Sequence, residues 1–454
     1  MTHTTLPVHP SRPAFTAARN ACKMCTPLGA CLAFSGIEGA VPLLHGSQGC
    51  STYIRRYLIS HFREPMDIAS SNFSEQSAIF GGSENLKTAL TNVIRSYSPT
   101  CVGVCTTCLS ETIGDNVPAI VGEFRKGAGD GGPEIVHAST PSYRGSHFDG
   151  YIAAIRAIVE QLAHGGETAD GLVNVIPGMV SPADLRYLRE LVEDFGLRCN
   201  LLPDYAERLD GSAWAEYQKI PAGGTPMADI RRMGRAAATL EMTTVADFAK
   251  TGGGALSARF GVRRIGLGLP IGIDATDALC TALQEISGRP LPRRHADERG
   301  RLVDAYVDGH KYIAEKRVLI FGEEDMVIGL AGFAAEIGLK PVLCASGGHS
   351  GRFVAEIARV APDCRTLDDV DFEDIADAAA DIDVDLILGN SKGYKLAKSI
   401  KRPLVRVGMP IHDRLGAARI LHVGYRGTQQ LFDRIVNAIL EHSQDSNDIG
   451  YSYL

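Results

Sequence analysis

Arg317-Val-Leu-Ile-Phe-Gly322 is an apolar run ending in glycine, and after Glu323–Ile337 come Lys340-Pro-Val-Leu-Cys344 and the exit Ser346-Gly-Gly-His-Ser-Gly351. The first run reads as a strand, Ile328–Ile337 as a helix and Lys340–Cys344 as the next strand, the βαβ pattern of a parallel sheet. Asp385–Leu388 and Leu404–Val407 supply two more strands, and Thr428–His442 reads as a closing helix. This is a doubly wound unit, and the same alternation occurs twice upstream.

In the first unit, Val41–His45 is a strand followed by Gly46-Ser-Gln-Gly49 and a helix from Cys50, whose Ile54, Leu58 and Phe62 share one face. Cys101–Thr107 is another strand with Cys108 at its carboxyl end. Asp149 is placed to cap a helix in which Ile152, Ile155, Val159 and Leu162 keep the helical period. In the second unit, Leu172–Ile176 and Leu197–Leu202 are strands, with Ser181 as an N-cap and Asp184 three residues on. Arg263–Gly272 then leads into the helix Thr276–Ile286. The expected fold class is α/β, three successive Rossmann-like doubly wound domains. The expected division is an N-terminal arm (1–20), domain I (21–165), domain II (166–300) and domain III with a C-terminal tail (301–454).

The 454 residues are 45% apolar and 22% charged, an ordinary soluble composition. Lys+Arg is 46 against Asp+Glu 53, a net charge of −7 that excludes a basic nucleic-acid binder. Apolar runs such as Leu267–Ile273 fall far short of the ~20 residues that span a bilayer, so no membrane partner is expected. Met1–Asn20 has no apolar core of a secretory signal, and a cytoplasmic protein is expected.

Seven of the eleven cysteines fall within the first 108 residues: Cys22, Cys25, Cys31, Cys50, Cys101, Cys105 and Cys108. Open α/β sheets bind ligands at the carboxyl ends of their strands. Cys50 and Cys108 stand at such ends, and Cys25 precedes the turn Thr26-Pro-Leu-Gly29 into a helix. Soft thiolates on three loops of one unit suit an iron–sulfur cluster or zinc. Cys31, Cys101, Cys199, Cys280, Cys344 and Cys364 read as core packing, the commonest role of a free cysteine. A zinc site from Cys22-x₂-Cys25 and Cys105-x₂-Cys108 is the rival reading. Against it, 79 residues separate the pairs, where zinc knuckles leave ~15–20, and Cys105 should point into the sheet. No G-x-x-x-x-G-K-[ST] loop is present, so the chain should not hydrolyse ATP itself; Gly322 lacks the G-x-G-x-x-G pattern, and Gly348-His-Ser-Gly351 does not complete a G-x-S-x-G elbow. The acidic run Asp368–Asp374 reads as a solvated face, and His412-Asp-Arg414 as a structural ion pair.

Several segments, in order, resemble the β-type subunit of the nitrogenase component 1 family. They are Cys25-Thr-Pro-Leu-Gly-Ala30, His45-Gly-Ser-Gln-Gly-Cys50, His61-Phe-Arg-Glu-Pro65, Phe80-Gly-Gly82 and Thr106-Thr-Cys108-Leu-Ser-Glu-Thr-Ile-Gly-Asp115. The likeness continues through Thr140-Pro-Ser142-Tyr, Pro270-Ile-Gly-Ile273, Thr276-Asp277, Arg299-Gly-Arg-Leu-Val-Asp304, Gly389-Asn-Ser391 and Pro410-Ile-His-Asp-Arg414.

The resemblance implies three Rossmann-like domains in each of two related subunits, assembled as an α₂β₂ heterotetramer. It implies a P-type [8Fe-7S] cluster at the αβ interface with Cys25, Cys50 and Cys108 as this chain's ligands. Ser142 matches a serine that joins the oxidised cluster. The active-site metallocluster lies in the α-type partner, so no catalytic residue is expected here. Electrons would come from an ATP-hydrolysing [4Fe-4S] iron protein. Members of the family reduce dinitrogen, cleave C–S bonds as methylthio-alkane reductases, or hold a maturing cluster as the cofactor-assembly scaffold, where the interfacial cluster is [4Fe-4S]. The first motif opens by residue 22, without the long extension of the molybdenum-type β subunit. Three cluster cysteines favour a reductase, whereas Arg414-Leu-Gly-Ala and Val423-Gly-Tyr-Arg-Gly-Thr428 look more like the scaffold. The expectation is a reductase subunit, with the scaffold β-like subunit as alternative and a zinc-stabilised α/β binding protein behind both.

Overall fold

The computed structural model describes residues 21–128 and 131–447, so the expected arm and the end of the expected tail lie outside the described residues. The first sheet comprises β1 (Ala40–His45), β2 (Ala69–Ser70), β3 (Cys101–Thr106) and β4 (Glu134–Ala138), in the order β2-β1-β3-β4. The second has β5 (Leu172–Ile176), β6 (Arg198–Leu201), β7 (Ala238–Met242) and β8 (Arg263–Leu267), ordered β6-β5-β7-β8. The third has β9 (Arg317–Gly322), β10 (Lys340–Ser346), β11 (Arg365–Leu367), β12 (Leu386–Gly389) and β13 (Leu404–Arg406), ordered β11-β10-β9-β12-β13. Every strand pair is parallel. The chain is thus an α/β protein of three Rossmann-like sheets with helices against them. β1, β3 and β5 are buried along their whole length, which is why they read as mostly apolar runs rather than alternating ones; the buried polar Asn174 in β5 is answered by Thr239 Oγ1 and Met233 O.

Three details differ from the sequence reading. Ser146, not Asp149, caps the helix His147–Leu162; Asp149 is its third residue and closes a capping box back to Ser146 N. The expected boundary at residue 300 falls inside the 21-residue helix Arg293–Ile313, which packs on the helix Gly424–Asp445 of the third unit. The break in the chain is Gly288-Arg-Pro-Leu-Pro292, and Gly300 alone does not interrupt the helix. The acidic run holds a helix start: Asp371 caps Phe372–Ala379 and accepts from the backbone N–H of Glu373 and Asp374.

Strand β7 escaped the sequence reading because its Glu241 carries a charge into a buried strand. That carboxylate is satisfied on all sides, by Arg264, by Thr251 Oγ1 at 2.7 Å and by Gly253 N at 2.9 Å. Within the turn expected to hold an ion pair, Arg414 Nη1 lies 3.5 Å from Asp413, whose closer partner is Arg406 Nη2 at 2.7 Å, a residue the sequence reading did not name.

Side chains from one unit bond into the next. Asp184 in the second unit accepts from His422 and Val423 backbone N–H groups of the third and from His422 Nδ1 at 2.9 Å. His61 in the first unit accepts from Ile411 N of the third at 2.9 Å. Burial holds His61 neutral and draws its pKa down to about 3, against ~6.5 in an unfolded chain. Between those values the unfolded chain binds a proton that the folded chain refuses. The stabilisation is therefore whole above pH ~6.5 and is lost toward pH 3 by about 1.4 kcal/mol per pH unit. His61→Gln keeps an acceptor for Ile411 N but does not titrate. Denaturant unfolding of this variant should show a pH dependence shallower by about one proton over that window; parallel profiles would mean that His61 is charged in the folded protein.

Candidate functional site

In the first sheet, strand order reverses between β1 and β3, and the loops leaving these two strands carry Cys50 and Cys108. Cys50 lies in the first turn of the helix Gln48–Phe62, and Ser47, the residue before that helix, donates its hydroxyl to Cys50 Sγ at 3.6 Å. Cys108 opens the short helix Cys108–Thr112 and is exposed. The two loops are clamped together: Thr107 Oγ1 donates to His45 O at 3.0 Å, and a Cβ on Gly46 would lie 2.4 Å from that same hydroxyl. Only glycine fits there.

Cys25 comes from a different direction, as the N-cap of the helix Thr26–Ser35. Ser142 joins it to Cys108. Thr26 N donates to Ser142 Oγ at 3.2 Å, while Ser142 N donates to Cys108 Sγ at 3.3 Å. Burial pushes the Cys25 thiol up; the Ser142 hydroxyl opposes this, and the Cys50 and Cys108 sulfurs reinforce it. The three cysteines and the serine singled out in the sequence therefore share one electrostatic neighbourhood. In the absence of a metal, burial and the two neighbouring sulfurs disfavour a thiolate at Cys25.

Two helices set this distance. The helix Thr26–Ser35 lies against the helix His147–Leu162 so closely that a Cβ on Gly29 would sit 1.7 Å from His147 O, and one on Gly150 1.8 Å from Thr26 O. Met24 N also donates to His147 Nδ1 at 3.3 Å. Behind the cysteines, His45 bridges Ser71 Oγ at 3.1 Å and Asp115 Oδ2 at 3.0 Å, and Asp115 accepts from Gly82 N. Sequence reasoning had not assigned Ser47, His45 or Asp115 a role at the site; no spacing pattern marks them.

Of the cysteines expected to pack in the core, Cys31, Cys101, Cys199, Cys280 and Cys344 are buried, whereas Cys364 is only half-buried. Cys22 is buried among Phe321, Val370 and Phe372 of the third unit, and Cys105 is buried within the first sheet beside Cys31. The two C-x₂-C pairs therefore do not converge, and a zinc site built from all four is excluded. No group of three or more His, Cys, Asp or Glu among the described residues closes around one metal ion. Three soft sulfur donors gathered in one place, but not around one point, fit a cluster that gives each thiolate its own iron. The buried Thr26 Oγ1 next to Cys25 has no partner, which leaves a hydroxyl available to a cluster sulfur.

A chain of three Rossmann-like units with clustered thiols at the first switch point defines a class, and comparison supplies the family. Residues 25–440 match the model of the nitrogenase component 1 type oxidoreductases, and the chain belongs to that family as a β-type subunit. It is 36% identical to the nitrogenase molybdenum-iron protein beta chain of Clostridium pasteurianum, over 93% of each chain. It is 34% identical to the nitrogenase iron-molybdenum cofactor biosynthesis protein NifN of Bradyrhizobium diazoefficiens, over 95% of this chain and 92% of that one. The vanadium-iron protein beta chain of Trichormus variabilis is also 34% identical, over 93% and 94%. The solved structure of nitrogenase Cp1 at pH 6.5 overlays with a TM-score of 0.93 at 34% identity, covering 98% of both chains. Because the clostridial molybdenum-iron chain is matched over nearly all its length, the early first motif does not separate the branches.

Gly29→Ala tests the helix contact. Alanine gains about 1 kcal/mol of helix propensity, yet its methyl meets rigid backbone, and overpacking of that kind costs about 1–3 kcal/mol. The variant should unfold at lower denaturant, and equal or higher stability would show that the helices can separate freely.

Proposed function

We propose that this chain is the β-type subunit of a nitrogenase-like component 1 reductase, holding an interfacial P-type [8Fe-7S] cluster through Cys25, Cys50 and Cys108. The observation that carries this reading is the grouping of these three thiols with Ser142 around the first switch point. When bound, such a cluster supplies one-electron transfer between an ATP-hydrolysing [4Fe-4S] iron protein and the active-site metallocluster of an α-type partner in an α₂β₂ heterotetramer.

The chain's own part is to hold and to screen. Cys108 is exposed and Cys25 and Cys50 are half-buried, so these thiols face outward, as a site completed by a partner's ligands requires. Ser47 Oγ and Ser142 N already donate to the Cys50 and Cys108 sulfurs, and donors of this kind raise a cluster's potential by stabilising its more negative state. Tyr53 stands beside Cys25; burial and Tyr57 hold its hydroxyl protonated across neutral pH, so it adds no charge. No residue of this chain is assigned to the chemistry of the substrate.

A second reading, the β-like subunit of the cofactor-assembly scaffold with a [4Fe-4S] interfacial cluster, is supported by the 34% identity to NifN and by Val423-Gly-Tyr-Arg-Gly-Thr428. Turnover separates the two. The complex, purified without oxygen with its α-type partner, should reduce dinitrogen or acetylene, or cleave a methylthio-alkane, when given iron protein and ATP. Cys50→Ala and Cys108→Ala should lower iron content and turnover together. An iron-replete complex that yields no product would support the scaffold, and an iron-replete, active Cys108→Ala protein would overturn the ligand assignment.

A further inference from the structure

We propose that the seam between the first and second units carries a binding site for a small carboxylate bearing one planar ring, with the Arg208 guanidinium on its floor. The site is remote in function from the cysteines and does not rest on the reading above.

Arg208 lies in the short helix Ala206–Leu209 of the second unit and is only 6% exposed. It reaches across to the first unit, where Nη1 donates to Ser35 O at 3.2 Å and Ile37 O at 3.4 Å, and Nη2 to Ala40 O at 2.7 Å. All three partners are neutral carbonyls. No carboxylate forms an ion pair with Arg208 among the described residues, although a buried guanidinium ordinarily has one. Burial pulls its pKa down to about 10, opposed by Asp67, the one acid that acts on it. Asp67 is itself engaged, by Arg55 Nη2 at 3.6 Å and by the Tyr97 hydroxyl. The charge on Arg208 is therefore incompletely answered by the protein.

That charge borders a cavity of about 220 Å³, whose wall also includes Asp67, Tyr97, Trp214, Tyr217 and Lys219. Three features select the ligand. Arg208 and Lys219 stand in the cavity's wall while Asp67 is already engaged by Arg55, so the site favours an anion. The planar fork of a guanidinium matches a carboxylate better than a spherical anion. Trp214 and Tyr217 stand edge to face with each other, ring centroids 6.4 Å apart, on the open side of the cavity, and their exposed aromatic surface suits a ligand that carries a ring. The volume is below the ~300–1,000 Å³ of sites for drug-sized ligands and suits one ring with its acid group. Seams between structural units are common places for such sites. The alternative role of Arg208 is purely structural, a clasp on the carbonyls that end the helix Thr26–Ser35.

The test uses the purified complex and benzoate as probe, with benzamide as its neutral counterpart and titration calorimetry as the readout. Trp214 is the only tryptophan of this chain, so the fluorescence difference between the complex and its Trp214→Phe variant reports the same site. Benzoate should give a saturable heat and a saturable change in that difference, with benzamide at least tenfold weaker. Lys219→Ala, an exposed residue outside the cysteine site, should weaken benzoate several-fold without changing turnover. Arg208→Gln should abolish binding, and the two other comparisons carry the test should that variant fail to fold. Equal binding of benzoate and benzamide, no saturable signal from either, or unchanged benzoate affinity in Lys219→Ala would overturn the proposal and leave Arg208 as a clasp.

Discussion

The structure around the cysteines depends on how closely the helix Thr26–Ser35 approaches the helix His147–Leu162. Gly29 and Gly150 are the points of contact, and each faces the other helix's backbone with no room for a methyl group. That approach brings the N-terminus of the first helix, with Cys25, to the loop after β4, with Ser142. Ser142 in turn bonds to Cys108 at the end of β3. A single helix contact therefore sets the distance between a ligand delivered by a helix and a ligand delivered by the sheet. The second clamp, Gly46 against Thr107, fixes the two sheet loops to each other and is independent of the first.

These clamps explain why the thiols can stay apart from one another and still act together. Burial and the neighbouring sulfurs both oppose a thiolate at Cys25 in the bare site. The proposed cationic iron–sulfur core would relieve that repulsion, which would couple filling the site to stabilising the local fold. In the proposed assembly the other face of such a cluster comes from the partner, in keeping with the exposure of Cys108 among the described residues.

Much of the fold was legible because parallel strands buried on both faces read as plain apolar runs. Leu172–Ile176 and the strand from Arg317 were clear for this reason, as was Ser181, whose capping box with Asp184 was visible as a three-residue spacing. Strand β7 was hidden by Glu241, whose charge is answered by Arg264 and Thr251 only after folding. The boundary expected at residue 300 falls inside the helix Arg293–Ile313, whose packing on the helix Gly424–Asp445 sustains it through Gly300. At the site, ligand-type residues announced themselves by clustering and by resemblance. Their hydrogen-bonding neighbours Ser47 and Thr26 did not, because a serine or threonine near a helix start is an ordinary cap. Nothing in the linear order brings Arg208 to Ser35, Ile37 and Ala40; that contact exists only between folded units.

The most direct test of the central claim is anomalous diffraction at the iron edge from crystals of the complex grown without oxygen. The account predicts iron peaks within bonding distance, about 2.3 Å by analogy with other metal–thiolate bonds, of the Cys25, Cys50 and Cys108 sulfurs. Those peaks should belong to one cluster shared with the partner subunit. Iron absent from these sulfurs, or a zinc peak in its place, would contradict it.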